Sequence, residues 1–284
     1  MKGASEFCLA WLVETKDGML TTCPSFSPEN QFKTPDGKPA GTSAGATMDI
    51  ALIRELFTNT IAAARELNLE PEFAASLSAA SDRLIPYEIG SKGQLLEWSE
   101  EFAEPEPGHR HMSHLYGLYP GNDLTPEQAA AARKSLELRL ANGGAYTGWS
   151  RAWFLAFWAR LRVAAKAYEG FALLMRVSTG VNLFDTHPAG KSQIFQIDGN
   201  FGATAAISPN GCSTATTERS NSFPLFPMNG LPSGEVCRPS SPGRRRASSR
   251  EVRGLACYKA AGKEPDCQCH RWNSSPHCRR ENTT

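Results

Sequence analysis

The chain has 284 residues and a formal charge of +1, from 30 Lys and Arg against 29 Asp and Glu; 40% of it is hydrophobic and 21% charged. That balance allows the core of one or two ordinary domains, and it excludes a wholly disordered chain, a collagen-like repeat and a generally basic nucleic-acid binder. No apolar run approaches the roughly 18 residues a membrane-spanning helix needs, and the opening residues lack the pattern of a secretory signal. No nucleic-acid or membrane partner is expected, while compartment and oligomeric state stay open.

Residues 4–14 read as a first helix. The connection that follows, 20–47, carries Pro24-Ser25-Phe26-Ser27-Pro28-Glu29-Asn30, a carboxylate in a stiff turn between two prolines and an asparagine. Glu29 is either a surface turn residue or a general acid at a pocket rim, where burial raises its pKa towards the working pH. Ile53, Leu56, Phe57, Ile61, Ala64 and Leu67 recur at helical spacing, which predicts an amphipathic helix over 48–67. A second helix over 73–84 stops at Pro86.

The next connection, 86–124, holds Gln94-Leu95-Leu96-Glu97-Trp98, where a carboxylate stands beside an aromatic face suited to stacking on a sugar ring. Glu97 is therefore the reserve acid. His109-Arg110-His111-Met112-Ser113-His114 then gathers half of the chain's six histidines. A metal would need two or three of them converging on one ion with a further ligand. A sugar needs only donors in fixed directions, which Arg and His supply. Spacing alone does not separate these two.

Thr125-Pro126-Glu127-Gln128 is a strong helix start, with Thr125 as cap, Pro126 in the first turn and Gln128 reaching back. That helix runs to about Ala141 and ends at Asn142-Gly143-Gly144. Thr147-Gly148-Trp149-Ser150 serves either packing or substrate contact, and 149–163 is apolar nearly all round, as a buried helix is. A further helix covers 168–177. Asn182-Leu183-Phe184-Asp185-Thr186-His187-Pro188 leads to Phe195-Gln196-Ile197-Asp198-Gly199-Asn200-Phe201-Gly202 and a helix over 201–207. Asp198 either caps that helix or accepts a hydrogen bond from a water or a substrate hydroxyl. Asn200 stands in reserve beside it. With no strand alternation the class is all-α, and the long Gly-, Pro- and His-rich connections are where chemistry belongs. Two acids on different loops, Glu29 and Asp198, fit the needs of a glycosidase, which sets carboxylates on either side of the scissile bond.

Past Ile207 the composition changes. Residues 1–207 hold 18 basic and 23 acidic side chains; residues 208–284 hold 12 and 6, together with six of the eight cysteines. The second stretch lacks helical or strand period and reads as disordered, either a natural basic tail or the product of a reading-frame slip or retained intron. Cys267-x-Cys269-His270 with His277-Cys278 lacks the usual zinc spacing and hydrophobic frame, so no metal is assigned. The arginine run at 244–250 reads as solvated charge. Asn273 and Asn282 begin glycosylation triplets that matter only in a secreted protein.

These words, in this order, resemble glycoside hydrolase family 95, the 1,2-α-L-fucosidases with some α-L-galactosidase members. The resemblance covers 1–207 and is carried by residues 24–30, Thr47-Met48-Asp49, Glu97-Trp98, 109–121, Gly148-Trp149-Ser150 and 182–203. It implies a partial (α/α)6 toroid over 1–207, with the family's N-terminal β-sandwich, earlier toroid helices and C-terminal β domain not represented. It implies inverting hydrolysis of terminal 1,2-linked α-L-fucosyl groups from oligosaccharides or polysaccharides, without a cofactor. Glu29 resembles the general acid, Asp198 the carboxylate of the group that activates water, and Arg110 and His111 the residues that hold the fucose hydroxyls. The asparagine pair that partners the base belongs to the unrepresented part. An opened ring should also expose Trp153, Phe157 and Trp158, costing at about 25 cal/mol per Å2 more than a typical stability. On that ground the chain is expected to be poorly soluble and impaired. The alternative is a non-catalytic carbohydrate-binding remnant of the same fold, and a weaker third reading is a metal-binding helical protein centred on His109, His111 and His114.

Overall fold

The computed structural model describes residues 1–189 and 192–207. The expectations for 208–284 (disorder, the zinc scheme, the arginine run and the glycosylation triplets) lie outside the described residues, as do Gly190 and Lys191. Seven α-helices account for about half of what is described: α1 (Lys2–Trp11), α2 (Thr47–Leu67), α3 (Pro71–Asp82), α4 (Pro126–Ala141), α5 (Gly148–Arg160), α6 (Ala164–Val177) and α7 (Ile197–Ile207).

Between the helices lie strands that the sequence reading did not foresee. β1 (Leu12–Glu14) pairs with β2 (Leu20–Thr22), β3 (Ser25–Phe26) with β6 (Thr42–Ser43), and β4 (Phe32–Lys33) with β5 (Pro39–Ala40). Near the last helix, β7 (Thr186–Ala189) pairs with β8 (Ser192–Phe195), with Thr186 opposite Phe195. All four pairs are antiparallel. Strands of two to four residues are too short to show a period of two, so they staple loops and form no layer.

Two packed groups make the core. α2 lays Ile50, Ile53 and Phe57 against Leu77 and Ala80 of α3. α5 lies between α6 and α7, where Leu155, Phe157 and Trp158 share one cluster with Ala167, Leu174, Ala203 and Ala206. The expectation that Phe157 and Trp158 are uncovered is corrected here: they are 1% and 3% exposed, while Trp153 is 39% exposed. The flanking helices do the covering. Apolar surface does remain at the α7 end, where Phe184, Phe195 and Phe201 are all about half exposed or more.

The capping signals act as read. Thr125 Oγ1 accepts from the amide of Gln128 at 3.2 Å, and Gln128 Oε1 accepts from the amide of Thr125 at 3.0 Å. A second capping box, Thr147 with Ser150, starts α5 and is wholly buried. α7 begins at Ile197, four residues before the expected start, so Asp198 lies in its first turn rather than at its cap. Gly199 made that stretch look like loop. No helix among the described residues is long and apolar enough to cross a membrane.

Candidate active site

The turn at 25–30 has a simple logic. Ser25, Ser27 and Asn30 point inward and are held, and Glu29 is left over. Ser25 Oγ donates to Asp49 Oδ2 at 2.6 Å and accepts from the amide of Ala46 at 2.8 Å. Ser27 Oγ donates to Glu97 Oε1 at 2.7 Å, and Asn30 Nδ2 donates to Glu97 Oε2 at 3.0 Å and to Glu104 Oε2 at 2.9 Å. Ser113 Oγ donates to the carbonyl of Pro28. The peptide between Pro28 and Glu29 is cis. With both flanks anchored, the Glu29 side chain projects outward and is 62% exposed. The burial expected of it as a rim acid is thus not found.

Glu29 meets the histidine loop. Arg110 Nη2 donates to Glu29 Oε2 at 2.5 Å, and His111 Nε2 stands 3.5 Å from the same oxygen. Three predicted site residues therefore converge, with Glu29 and Arg110 81 positions apart. His111 is held on both faces: its ring lies 5.3 Å from that of His109 and 4.6 Å from that of Trp149. His109 is buried, and its Nδ1 accepts from the amide of His111 at 3.2 Å. Burial, then the charge of Arg110 and the neighbouring His109, push His111 down to about 4 against the opposing pull of Glu29. At neutral pH it is an uncharged imidazole that binds through its ring nitrogens.

Glu97 is not at the rim. It is 5% exposed, and Arg139 Nη2, itself almost fully buried, lies 3.0 Å from its Oε2. His114 Nδ1 approaches the same oxygen obliquely at 3.3 Å. Burial alone would raise its carboxyl, but the charges of His114 and Arg139 and the hydroxyl of Ser27 outweigh it and hold Glu97 at about 2. A carboxylate so strongly held as an anion has no proton to give near neutral pH. Trp98, expected to offer a stacking face, is 3% exposed and packs edge-on against Phe32 and Phe102. Its ring belongs to the core.

His114 Nδ1 lies beside Glu97 while the rings of His109 and His111 stack on each other, and among the described residues no group of three His, Cys, Asp or Glu is arranged to hold an ion.

Asp198 and Asn200 sit on the first turn of α7. Asn200 is a tie: its Oδ1 accepts from the amide of Asp185 at 2.8 Å, and its Nδ2 donates to the carbonyl of Leu183 at 2.9 Å. Among the described residues no hydrogen bond or ion pair joins Asp198 to Glu29. The two are linked by a chain of contacts, from Glu29 to His111, to Trp149, to its neighbour Gly148, to Asp185 and to Gly199 beside Asp198. Asp185 is the buried acid in that chain. Its signal in the sequence is two distant glycines, Gly148 and Gly199, whose missing side chains leave room for its carboxyl.

Comparison with known proteins gives the lineage. The model of the glycosyl hydrolase family 95 catalytic domain matches residues 1–209. The chain is 36% identical to "Alpha-L-fucosidase 2" of Arabidopsis thaliana over 249 residues, covering 83% of this chain and 29% of that protein. It is 32% identical to "Probable alpha-fucosidase A" of Aspergillus niger, covering 73% of this chain and 27% of that protein. The namesake in Aspergillus oryzae is 31% identical, over 67% and 27%. The plant match takes in a larger share than residues 1–207 make up, so the likeness continues past Ile207. The chain spans less than a third of the length of these curated relatives. With its model matched over nearly three quarters of the sequence, the chain belongs to the glycosyl hydrolase family 95 catalytic domain family.

Proposed function

We propose that the chain carries part of a glycosidase site that removes terminal α-L-fucosyl groups, 1,2-linked, with inversion, from oligosaccharides or polysaccharides. Glu29 is the general acid, donating a proton to the departing oxygen. Arg110 and His111 grip the fucose hydroxyls, the first as a charged fork and the second as a neutral donor and acceptor. Asp198 accepts the proton of the attacking water. In an inverting site the two carboxyls stand roughly 6.5–9.5 Å apart to admit that water. Glu97 positions Glu29 by anchoring Ser27 and Asn30 on either side of it. The observation that carries the reading is the meeting of Glu29, Arg110 and His111 at one exposed point.

The same reading takes α2 with α3, and α5 with α6, as successive helix pairs of a partial (α/α)6 toroid over 1–207, with 208–284 as a separate basic tail. One observation favours the runner-up, a carbohydrate-binding remnant: Glu29 is largely exposed in the absence of substrate, whereas an acid works best when desolvated. Release of L-fucose from a 2′-fucosyl oligosaccharide by the purified chain decides between them. Turnover that Glu29→Gln abolishes supports the enzyme. Fucose binding with no release, at any protein concentration, refutes it.

A further inference from the structure

Asp185 is a carboxylate 1% exposed whose two oxygens have no hydrogen-bond partner. A buried acid in that state needs a physical reason. The first part of the reason is steric. A Cβ on Gly148 would stand 2.0 Å from Asp185 Oδ1, and one on Gly199 would stand 2.2 Å from its Cγ. The carboxyl fills the space both glycines leave open. The second part is electrostatic. Gly148 opens α5 and Gly199 lies in the first turn of α7, so the carboxyl faces the positive ends of two helices. Its own backbone is tied to α7 through Asn200. The charged groups set against it are Arg151 from α5, which Ser178 engages, and Asp198 from α7.

From this we infer that Asp185 is a positioning residue of the site: it pins the first turns of α5 and α7 together, fixes Asp198 relative to Trp149 and His111, and shares one electrostatic field with Asp198. The inference rests on Asp198 being the base proposed above. Burial pushes Asp185 up to about 6 against the neighbouring backbone N–H of Thr186 and the charge of Arg151, and Asp198 adds to the rise. Coupling between two sites is reciprocal, so a change at one is read at the other.

The test is a carboxyl-13C NMR titration of the full chain, with the Asp185 signal assigned by its loss in Asp185→Asn. Asp185 should titrate near pH 6. Its midpoint should fall in Asp198→Asn and rise in Arg151→Met, and a midpoint that stays put in Asp198→Asn would overturn the inference. Thermal unfolding tests the steric half. Gly199→Ala should lower the Tm in the parent chain and far less on an Asp185→Ala background; strictly additive losses would overturn it. Fucose release separates this from the reading beneath it. Lost turnover in Asp198→Asn with Asp185 unmoved leaves the base standing and removes the inference. Retained turnover with Asp185 moved removes the base, and the catalytic role of Asp185 with it.

Discussion

Replacing Glu97 by alanine should be among the most damaging single changes in the protein. The substitution strips Arg139, 4% exposed, of one of its two carboxylates and leaves Ser27 Oγ and Asn30 Nδ2 short of an acceptor. Breaking a buried ion pair by deleting one partner costs about 3–5 kcal/mol, because the survivor stays desolvated. An independent route gives the same order. Moving the Glu97 carboxyl from its ordinary 4.5 to about 2 corresponds to roughly 3 kcal/mol of preference for the ionised folded state. With a urea slope of about 2 kcal/mol per M, the unfolding midpoint should drop by roughly 1.5–2.5 M. Glu137→Ala, which removes an exposed helix pair with Arg133, should change stability by less than about 0.5 kcal/mol. The sign with pH follows from the depressed folded value. The Glu97 contribution is full above 4.5 and is lost as the pH falls towards 2, and Glu97→Gln should lack that dependence. A Glu97→Ala loss no larger than that of Glu137→Ala would mean that the buried Glu97–Arg139 pair contributes no more than an exposed one.

Other outcomes follow from the same geometry. Glu29→Gln should leave thermal stability unchanged and lower fucose release by roughly a hundred- to ten-thousand-fold, read by reducing-sugar assay. Arg110→Lys, which keeps charge but not the fork, should raise KM for a 2′-fucosyl substrate more than it lowers kcat, in steady-state kinetics. His111, held near 4 against an ordinary 6.5, is a neutral half-buried group whose contribution to stability is present above 6.5 and lost as the pH falls to 4; His111→Gln should flatten denaturation midpoints across that window. Thr125→Ala should cost about 1 kcal/mol through loss of the α4 cap, measured by urea unfolding.

The helices were legible where local rules govern them. The spacing of Ile53, Phe57 and Ile61 and the Thr125-Pro126-Glu127-Gln128 start depend on neighbours within one or two turns, and α2 and α4 fall within a residue of the reading. The site was legible in part, because Glu29, Arg110 and His111 sit in phrases whose residue types announce chemistry. What the sequence hid is long-range. The surroundings of Glu97 are set by Ser27, 70 residues away, and by Arg139, 42 residues away. Trp98 follows it in the chain yet joins Phe32 and Phe102 in the core. The first turn of α7 was read as loop because Gly199 disfavours a helix on propensity, and only the bulk of Asp185 explains why a glycine is required there. Phe157 and Trp158, expected bare in an opened ring, are covered by α6 and α7, because which helices pack on which is set by long-range contacts.

A crystal of the chain soaked with L-fucose should hold the sugar between Arg110 and His111, with a carboxyl oxygen of Glu29 within hydrogen-bond reach of its anomeric oxygen. Fucose bound elsewhere, or bound there with Glu29 turned away from that oxygen, would remove Glu29 as the acid of this site.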